Sequence, residues 1–284
     1  GKKMIFVSTG GHRHWSFDQT VKHLSEVGIN AFELSGGVFV ADIETRLKNI
    51  SKEYNVTLHN YFPPAKEPFV FNLASLDDEI VKKSMDHAKY VIDLTSLIGS
   101  KYYSFHAGYL IDPVVNELGK KINQRKINDR EESKHIFIKR VNELSRYAAN
   151  KDIELLIENN VLSYNNYHEF KDNPLLMVDQ KETEEIINKI DDNVGLLIDV
   201  AHLKVSANTL GFSAERYLMN FKETVKAYHF SDNQGLEDSN DVISNDSWFW
   251  PYINLDLDYY SLEIYNASAQ VLKQQLELTM THLN

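Results

Sequence analysis

Six short apolar segments of the chain each carry one ionisable residue near their C-terminal end. The segments read TLHNYF with His59, YSFHAG with His106, LLIENN with Glu158, LLIDVAH with Asp199, AYHFSDN with His229 and SLEIYN with Glu263. A carboxylate or an imidazole is costly to bury in such a segment unless it is paired or binds a metal. Carboxylates and imidazoles are also the side chains that ligate divalent metals and transfer protons in catalysis. The pattern therefore indicates one site assembled from several separate segments.

The spacing of apolar residues predicts that these ionisable side chains face the same way. Apolar residues such as Ile157, Ile198 and Phe230 stand directly beside them in the sequence. Side chains alternate between the two faces of a strand, so the apolar neighbours are predicted to point outward. The ionisable residues then point inward together.

Eight strand-like segments, alternating with helical ones, are expected to position these side chains. The strand-like segments are 4–8, 31–34, 56–62, 102–106, 154–158, 194–200, 225–230 and 260–264. Strict alternation predicts parallel strands, because a helix forms each crossover. The count of eight favours a (β/α)8 TIM barrel, predicted as a single domain over residues 1–284, with its active site at the C-terminal strand ends.

Uneven loop lengths agree with one functional rim. The segments after predicted strands four, five and seven are long, covering 107–132, 159–181 and 231–259. Connections that enter strands are short, such as 150–153 and 191–193. Long loops that follow strands place variable, functional segments at the same rim as the ionisable residues.

Composition narrows the classes of function. The 284 residues carry a formal charge of −11 and no cysteine. The absence of cysteine excludes disulfides and thiolate chemistry, and the acidic total gives no general field for a phosphate backbone. We therefore expect no nucleic acid partner. No run of about 18 apolar residues is present, so no membrane partner is expected and a cytoplasmic location is predicted. Formation of a homo-oligomer is left open.

Five of the residues resemble a known motif set. Glu158, Asp199 with His202 three positions later, His229 and Glu263 occur in the order and on the strands seen in the xylose-isomerase-like TIM-barrel superfamily. This superfamily contains sugar isomerases, ketose 3-epimerases, related dehydratases and endonuclease IV. The resemblance covers essentially the whole chain. It implies that Glu158, Asp199, His229 and Glu263 hold one divalent metal and that His202 contacts the substrate.

The residue types agree with that implication. Three carboxylates and one imidazole favour Mn²⁺, Mg²⁺ or Co²⁺, and Zn²⁺ is also compatible. Such a metal polarises a carbonyl and its neighbouring hydroxyl, which stabilises an enediolate. The resemblance to ketose epimerases implies that Glu158 and Glu263 act as general acid and base. The sequence thus predicts a metal-dependent sugar isomerase or epimerase acting on a small polyhydroxylated carbonyl substrate.

Two departures keep other reactions open. In endonuclease IV, residues matching His59 and His106 join a further zinc site, so a second metal is an alternative to the favoured role of contacting substrate. The Asp-x-His of that enzyme after strand seven is missing, and Gln234 and Gly235 replace the arginine of the ketose epimerases. A dehydratase or lyase, an endonuclease IV-like phosphodiesterase and a non-catalytic sugar- or metal-binding barrel remain alternatives.

Further substrate-binding residues are predicted at the same rim. They are His202, His106, His59, Asn160, Asp232 and Trp248. Asp232 is expected to bind substrate or to orient His229. For Trp248, a wall against the apolar face of a sugar, core packing and a dimer contact are all open. Glu33, on the second strand, points to the same rim.

Overall fold

Eight parallel strands close into a barrel, each hydrogen-bonded to its neighbours in chain order and the last to the first. The computed structural model describes residues 3–118 and 120–284; residues 1, 2 and 119, included in the predicted domain, lie outside the described residues. The strands are β1 (Met4–Ser8), β2 (Ala31–Leu34), β3 (Asn55–His59), β4 (Tyr102–His106), β5 (Glu154–Glu158), β6 (Val194–Asp199), β7 (Ala227–Phe230) and β8 (Tyr259–Leu262). The predicted (β/α)8 fold is therefore confirmed.

Nine α-helices surround the barrel within the described residues. They are α1 (Phe17–Ser25), α2 (Ile43–Glu53), α3 (Asp78–Leu97), α4 (Arg130–Ala149), α5 (Tyr164–Phe170), α6 (Gln180–Ile187), α7 (Val200–Leu210), α8 (Ala214–Phe221) and α9 (Ala269–Leu283). The sequence did not predict α5 and α7. Helix α5 has only seven residues and lies inside the long loop after β5. It is too short for the spacing of its apolar residues to show a helical period.

Three strands end earlier than their apolar pattern suggested. The third predicted strand stops at His59, because Asn60 adopts a left-handed backbone conformation with φ of 58°. The eighth stops at Leu262, so Glu263 lies just beyond β8. The sixth stops at Asp199, where α7 begins at once. In each case the ionisable residue lies at the point where the strand gives way to the rim.

The two faces of the strands have different environments. Outward residues such as Ile157, Ile198 and Phe230 belong to the main apolar core between the barrel and its helices. Inside the barrel a smaller apolar cluster, with Phe6, Leu156 and other inward residues, fills the N-terminal end. The ionisable inward residues lie above that floor, at the C-terminal ends of the strands. This apolar packing separates the ionisable residues from the N-terminal end of the barrel, so they face the rim loops.

The long loop after β7 is fixed by aromatic packing. Phe249 is fully buried and stacks on Phe230 with ring centroids 5.1 Å apart, and Trp250 stacks on His282 at 4.2 Å. Such aromatic pairs add stabilisation beyond the area they bury. The loop is thus anchored to the core beside the site.

No helix in the described ranges has both the length and the apolar character needed to cross a membrane.

Loss of the aromatic anchor should destabilise the protein. Phe230→Ala removes a fully buried ring that packs against Phe249 and Tyr260, so we expect the free energy of unfolding to fall by about 3–5 kcal/mol. The exposed Met219→Ala on α8 serves as the control and should change it by less than about 0.5 kcal/mol. Urea unfolding followed by circular dichroism measures both. Equal midpoints for the two variants would contradict this account of the packing.

Candidate metal and acid–base site

The four predicted metal ligands converge at the barrel mouth. Glu158, Asp199, His229 and Glu263 come from the ends of four consecutive strands, β5 to β8, and all are buried. One ligand atom from each can be chosen so that all four atoms lie within 4.8 Å of one another. Parallel strands in a barrel bring their C-terminal ends to one rim, which is why residues more than 100 positions apart meet here.

Asp199 is oriented by the helix that follows it. It is the N-cap of α7, and its Oδ1 accepts hydrogen bonds from the backbone N–H groups of Ala201 and His202, both at 2.9 Å. An N-cap carboxylate is a favourable partner for the positive end of a helix. One oxygen is therefore fixed by the backbone, while Oδ2 is buried without a hydrogen-bond partner.

The imidazole of His229 lies at the centre of the acidic cluster. Its Nδ1 is 2.7 Å from Glu263 Oε2, 3.0 Å from Glu158 Oε2 and 3.7 Å from Asp199 Oδ2. Its Nε2 points the other way and lies 2.9 Å from Glu33 Oε2 on β2. The ring therefore presents Nδ1 to the same space as the three predicted carboxylate ligands.

A second group of ligand-type side chains shares Glu158. His59 Nε2 is 3.3 Å and His106 Nε2 is 2.8 Å from Glu158 Oε1, although neither nitrogen is aligned for a hydrogen bond with it. His59 Nδ1 is held by Ser104 Oγ at 2.7 Å. The three side chains could hold an ion of their own. The geometry thus brings the predicted second-metal residues beside the first set.

Charges in the site perturb one another strongly. Burial raises the pKa of Asp199 to about 7. Burial also raises the pKa of Glu158, but the positive charges of His106 and His229 outweigh it and hold that pKa well below the usual value. For His229, burial lowers the pKa, whereas the negative charges of Glu33 and Glu263 raise it well above the usual value. Without another cation, protonated imidazoles compensate the buried carboxylates.

The residues present fit a divalent cation. Asp199 Oδ2 and Glu158 Oε1 are buried oxygens that accept no hydrogen bond in the described part of the chain. An unsatisfied buried carboxylate oxygen is costly, and a cation satisfies it. Three carboxylates with one imidazole form a hard donor set of the kind preferred by Mn²⁺, Mg²⁺ or Co²⁺.

Three of the predicted substrate residues line one cavity, and the other three lie elsewhere. A cavity of about 190 Å³ at the rim is lined by His106, His202 and Asn160 among others. His59 lies deeper, within the barrel. Asp232 instead accepts a hydrogen bond from Lys204 Nζ at 2.8 Å, and it is Glu33 that bonds to His229. Trp248 is half-buried against the main core, with its indole Nε1 buried and without a hydrogen-bond partner among the described residues.

Several residues at the site were not predicted to act there. Asp238, from the loop after β7, has its Oδ2 3.0 Å from His202 Nε2, and both it and Tyr61 line the 190 Å³ cavity. Asn159 braces the strand ends, because its side chain bonds both backbone N–H and C=O of Asp199. The two asparagines of the ENN sequence could have indicated this role, since a side-chain amide can both donate to and accept from the backbone. Asp238 had no such signal in its polar loop.

Comparison with known proteins identifies the relatives of this chain. The sequence matches the family model described as xylose isomerase-like TIM barrel over residues 21–256. A curated protein named probable endonuclease 4, from Thermotoga petrophila, is 23% identical over 233 residues, which is 74% of this chain and 80% of that protein.

Solved structures show the same fold. A D-tagatose 3-epimerase-like protein superposes with a TM-score of 0.70 at 18% identity, covering 99% of both chains. A 3-keto-D-glucoside 4-epimerase from E. coli superposes with a TM-score of 0.68 at 12% identity, covering 99% of this chain and 100% of the other. At these identities the likeness extends to the fold alone.

Removing one ligand should lower metal binding. We expect Glu158→Gln and Asp199→Asn to lose most bound Mn²⁺ relative to the parent protein, because each removes a carboxylate charge while keeping the side-chain shape. Asparagine also remains a good N-cap, so α7 should persist. Glu154→Gln, at the opposite end of β5, is the matched control and should bind like the parent. Equilibrium dialysis with elemental analysis measures the metal.

Chelation provides an independent test of the same site. A metal bound only by the folded state adds about 2.7 kcal/mol when its concentration is 100 times its Kd. The chelator EDTA should therefore lower the melting temperature of the parent and leave that of Asp199→Asn nearly unchanged. Full metal occupancy in both ligand variants, or no metal in the parent, would contradict the assignment.

Proposed function

The chain belongs to the xylose isomerase-like TIM-barrel family, and from that membership and the site geometry we propose that it is a divalent-metal-dependent sugar isomerase or epimerase. The reaction is proton transfer next to a carbonyl in a small polyhydroxylated substrate. Two of the solved structures with the same fold are named as a 3-epimerase-like protein and a 4-epimerase. Those names support a carbohydrate substrate for this chain.

The observation that carries the proposal is the placement of two glutamates, from two different strand ends, beside one nitrogen of His229. Glu158 Oε2 and Glu263 Oε2 lie 3.0 Å and 2.7 Å from the same Nδ1 atom of His229. A carbon atom held beside this group can meet a carboxylate from either of two strand ends. Epimerisation needs such a pair, because a proton must leave one face of the carbon and return to the other.

Each residue has a separate part in that chemistry. When bound, a divalent cation supplies Lewis acidity that polarises a substrate carbonyl and stabilises the negative charge formed on proton loss. Glu158 and Glu263 remove and return the proton. Asp199 and His229 complete the set of ligand atoms. Burial alone would raise the pKa of Glu158, but the charges of His106 and His229 hold it well below its usual value, so its carboxylate is ionised.

His202 is placed to recognise a substrate oxygen. Its Nδ1 lies 2.8 Å from the backbone oxygen of Asn159 and its Nε2 lies 3.0 Å from Asp238 Oδ2. Burial lowers the pKa of His202, but the charges of Asp199 and Asp238 raise it well above the usual value. Because both ring nitrogens are already paired, a protonated His202 at the cavity wall presents positive charge, and not a free N–H, to a carbonyl or hydroxyl oxygen.

A metal-dependent phosphodiesterase is the second candidate. The observation in its favour is the group of His59, His106 and Glu158 beside the first metal set, together with the likeness to a protein named probable endonuclease 4. Two metals a few Å apart are the typical catalysts of phosphodiester cleavage. The charge of −11 argues against it, since binding to a phosphate backbone depends on a cationic surface.

Substitution of one glutamate should stop proton transfer. We expect Glu263→Gln to lose at least about 100-fold in kcat, because general acid–base catalysis typically contributes 10²–10⁴-fold. The assay is incorporation of solvent deuterium into ketoses, ketose phosphates and polyhydroxy acids, with and without metal. The exposed Glu277→Gln on α9 is the matched control and should match the parent.

Other outcomes distinguish the rival mechanisms. Undiminished turnover by Glu263→Gln would refute the two-glutamate mechanism. Product without solvent deuterium would indicate hydride transfer, and loss of a β-hydroxyl would indicate a dehydratase. Metal binding without any proton exchange across the substrate panel would favour a non-catalytic binding barrel.

The nucleic acid alternative has a direct test. The pure protein should not nick duplex DNA containing an abasic site at physiological salt, because the chain is acidic overall. The assay is gel separation of a labelled duplex incubated with Mn²⁺ or Zn²⁺. Efficient nicking that disappears on His59→Ala substitution would replace the sugar proposal with the phosphodiesterase.

A further inference from the structure

Glu33 is a fully buried carboxylate that the proposed reaction does not use. It lies on β2, inside the barrel, with no exposed surface. Its Oε2 accepts hydrogen bonds from His229 Nε2 at 2.9 Å and from the hydroxyl of Tyr259. Its Oε1 has no hydrogen-bond partner among the described residues. No lysine or arginine among those residues forms an ion pair with it. A carboxylate in this position is costly to bury.

The contact between Glu33 and His229 spans the barrel interior. In the sheet, β1 and β8 lie between β2 and β7, so the two residues are not neighbours on paired strands. Cross-strand packing of adjacent strands therefore does not account for the contact. The two residues are 196 positions apart in sequence, and their side chains meet inside the barrel. Tyr259 at the start of β8 donates to the same oxygen and fixes the carboxylate from below.

We propose that Glu33 is a positioning residue that fixes the tautomer and the ring orientation of His229, so that Nδ1 is the nitrogen that binds the metal. The inference rests on the metal site proposed above. An imidazole has one nitrogen available to a metal only when the other carries the proton. Here Nε2 carries the proton and donates its hydrogen bond to Glu33. Metal-binding histidines usually have such a partner, and it also makes the ligating nitrogen more basic.

The geometry excludes simultaneous use of both nitrogens for metal. Nε2 is occupied by Glu33, whereas Nδ1 faces Glu263 and Glu158 at 2.7 Å and 3.0 Å. Glu33, His59, His229 and Glu263 also lie close enough to hold an ion together. In that competing arrangement Glu33 would be a ligand itself, and His229 would lose the bond that sets its tautomer. The two arrangements give the ion different ligands and therefore predict different spectra.

The experiment compares Glu33→Gln with Tyr259→Phe. The first variant removes the negative charge from the partner of Nε2, and the second removes the other donor to the same carboxylate while the Glu33–His229 bond remains. We expect Glu33→Gln to weaken Mn²⁺ binding about 10–100-fold, the usual effect of losing such a partner. We also expect it to shift the visible absorption bands of bound Co²⁺. Tyr259→Phe should keep the Co²⁺ spectrum of the parent and lose less affinity.

A measurement on the parent protein does not depend on the folding of either variant. With Zn²⁺ bound, ¹⁵N NMR of His229 should show the proton on Nε2 and a metal-bound Nδ1. The reverse tautomer would overturn the inference. So would unchanged affinity and an unchanged Co²⁺ spectrum in a folded Glu33→Gln variant, or a stoichiometric loss of one of two bound ions, which would make Glu33 a ligand. Failure of the parent to bind any divalent ion would instead refute the metal site on which the inference rests.

Discussion

Four carboxylates and three imidazoles are buried together in the mouth of this barrel, and the structure of the site depends on the balance among their charges. The carboxylates are Glu33, Glu158, Asp199 and Glu263, and the imidazoles are His59, His202 and His229. Separately, each would be costly to take out of water. Together they form pairs at 2.7–3.4 Å, and carboxylate oxygens without partners remain on the side where a cation would bind. A closed barrel can hold such a cluster because its strands are rigid and its floor is apolar.

The backbone around the cluster is held by polar side chains. Asn159 bonds the backbone of Asp199, and Asn160 donates to carbonyl groups of the loop after β4 and of Leu176. Asp199 in turn caps α7. These bonds fix the ends of β5 and β6 relative to one another, which limits the motion of the candidate ligand atoms. Preorganised ligands are what a site needs if a cation is to be held without rearrangement of the protein.

The sequence was sufficient to predict the fold and the meeting of the ligand atoms, but not the partners of those atoms. Alternation around Glu158 and His229 predicted the inward face, because the period of a strand is local. The pairing of His229 with Glu33 depends on barrel closure, which brings together strands that are not sequence neighbours. Asp232 was a reasonable candidate for that role from its position in the sequence. The structure pairs it with Lys204 instead.

Local patterns also failed where a strand passes directly into a helix. The segment that begins at Asp199 continues with apolar residues, so the sequence predicts a strand through Val200, whereas β6 ends at Asp199 and α7 begins at Val200. The capping bonds of Asp199 settle the boundary, and they require the three-dimensional position of its side chain. For Trp248 the sequence left three roles open, and the structure places the side chain against the core.

Glu158 links the two reactions that this family site could support. Its Oε2 faces His229 and its Oε1 faces His59 and His106. If each of these oxygens held a different cation, Glu158 would be a poor base, because neighbouring positive charge favours the ionised carboxylate. A second cation at His59 and His106 would therefore remove the acid–base function of Glu158 while supplying a phosphodiester-cleaving centre. Under the proposed function, the number of ions bound at this site is thus linked, through Glu158, to the class of reaction.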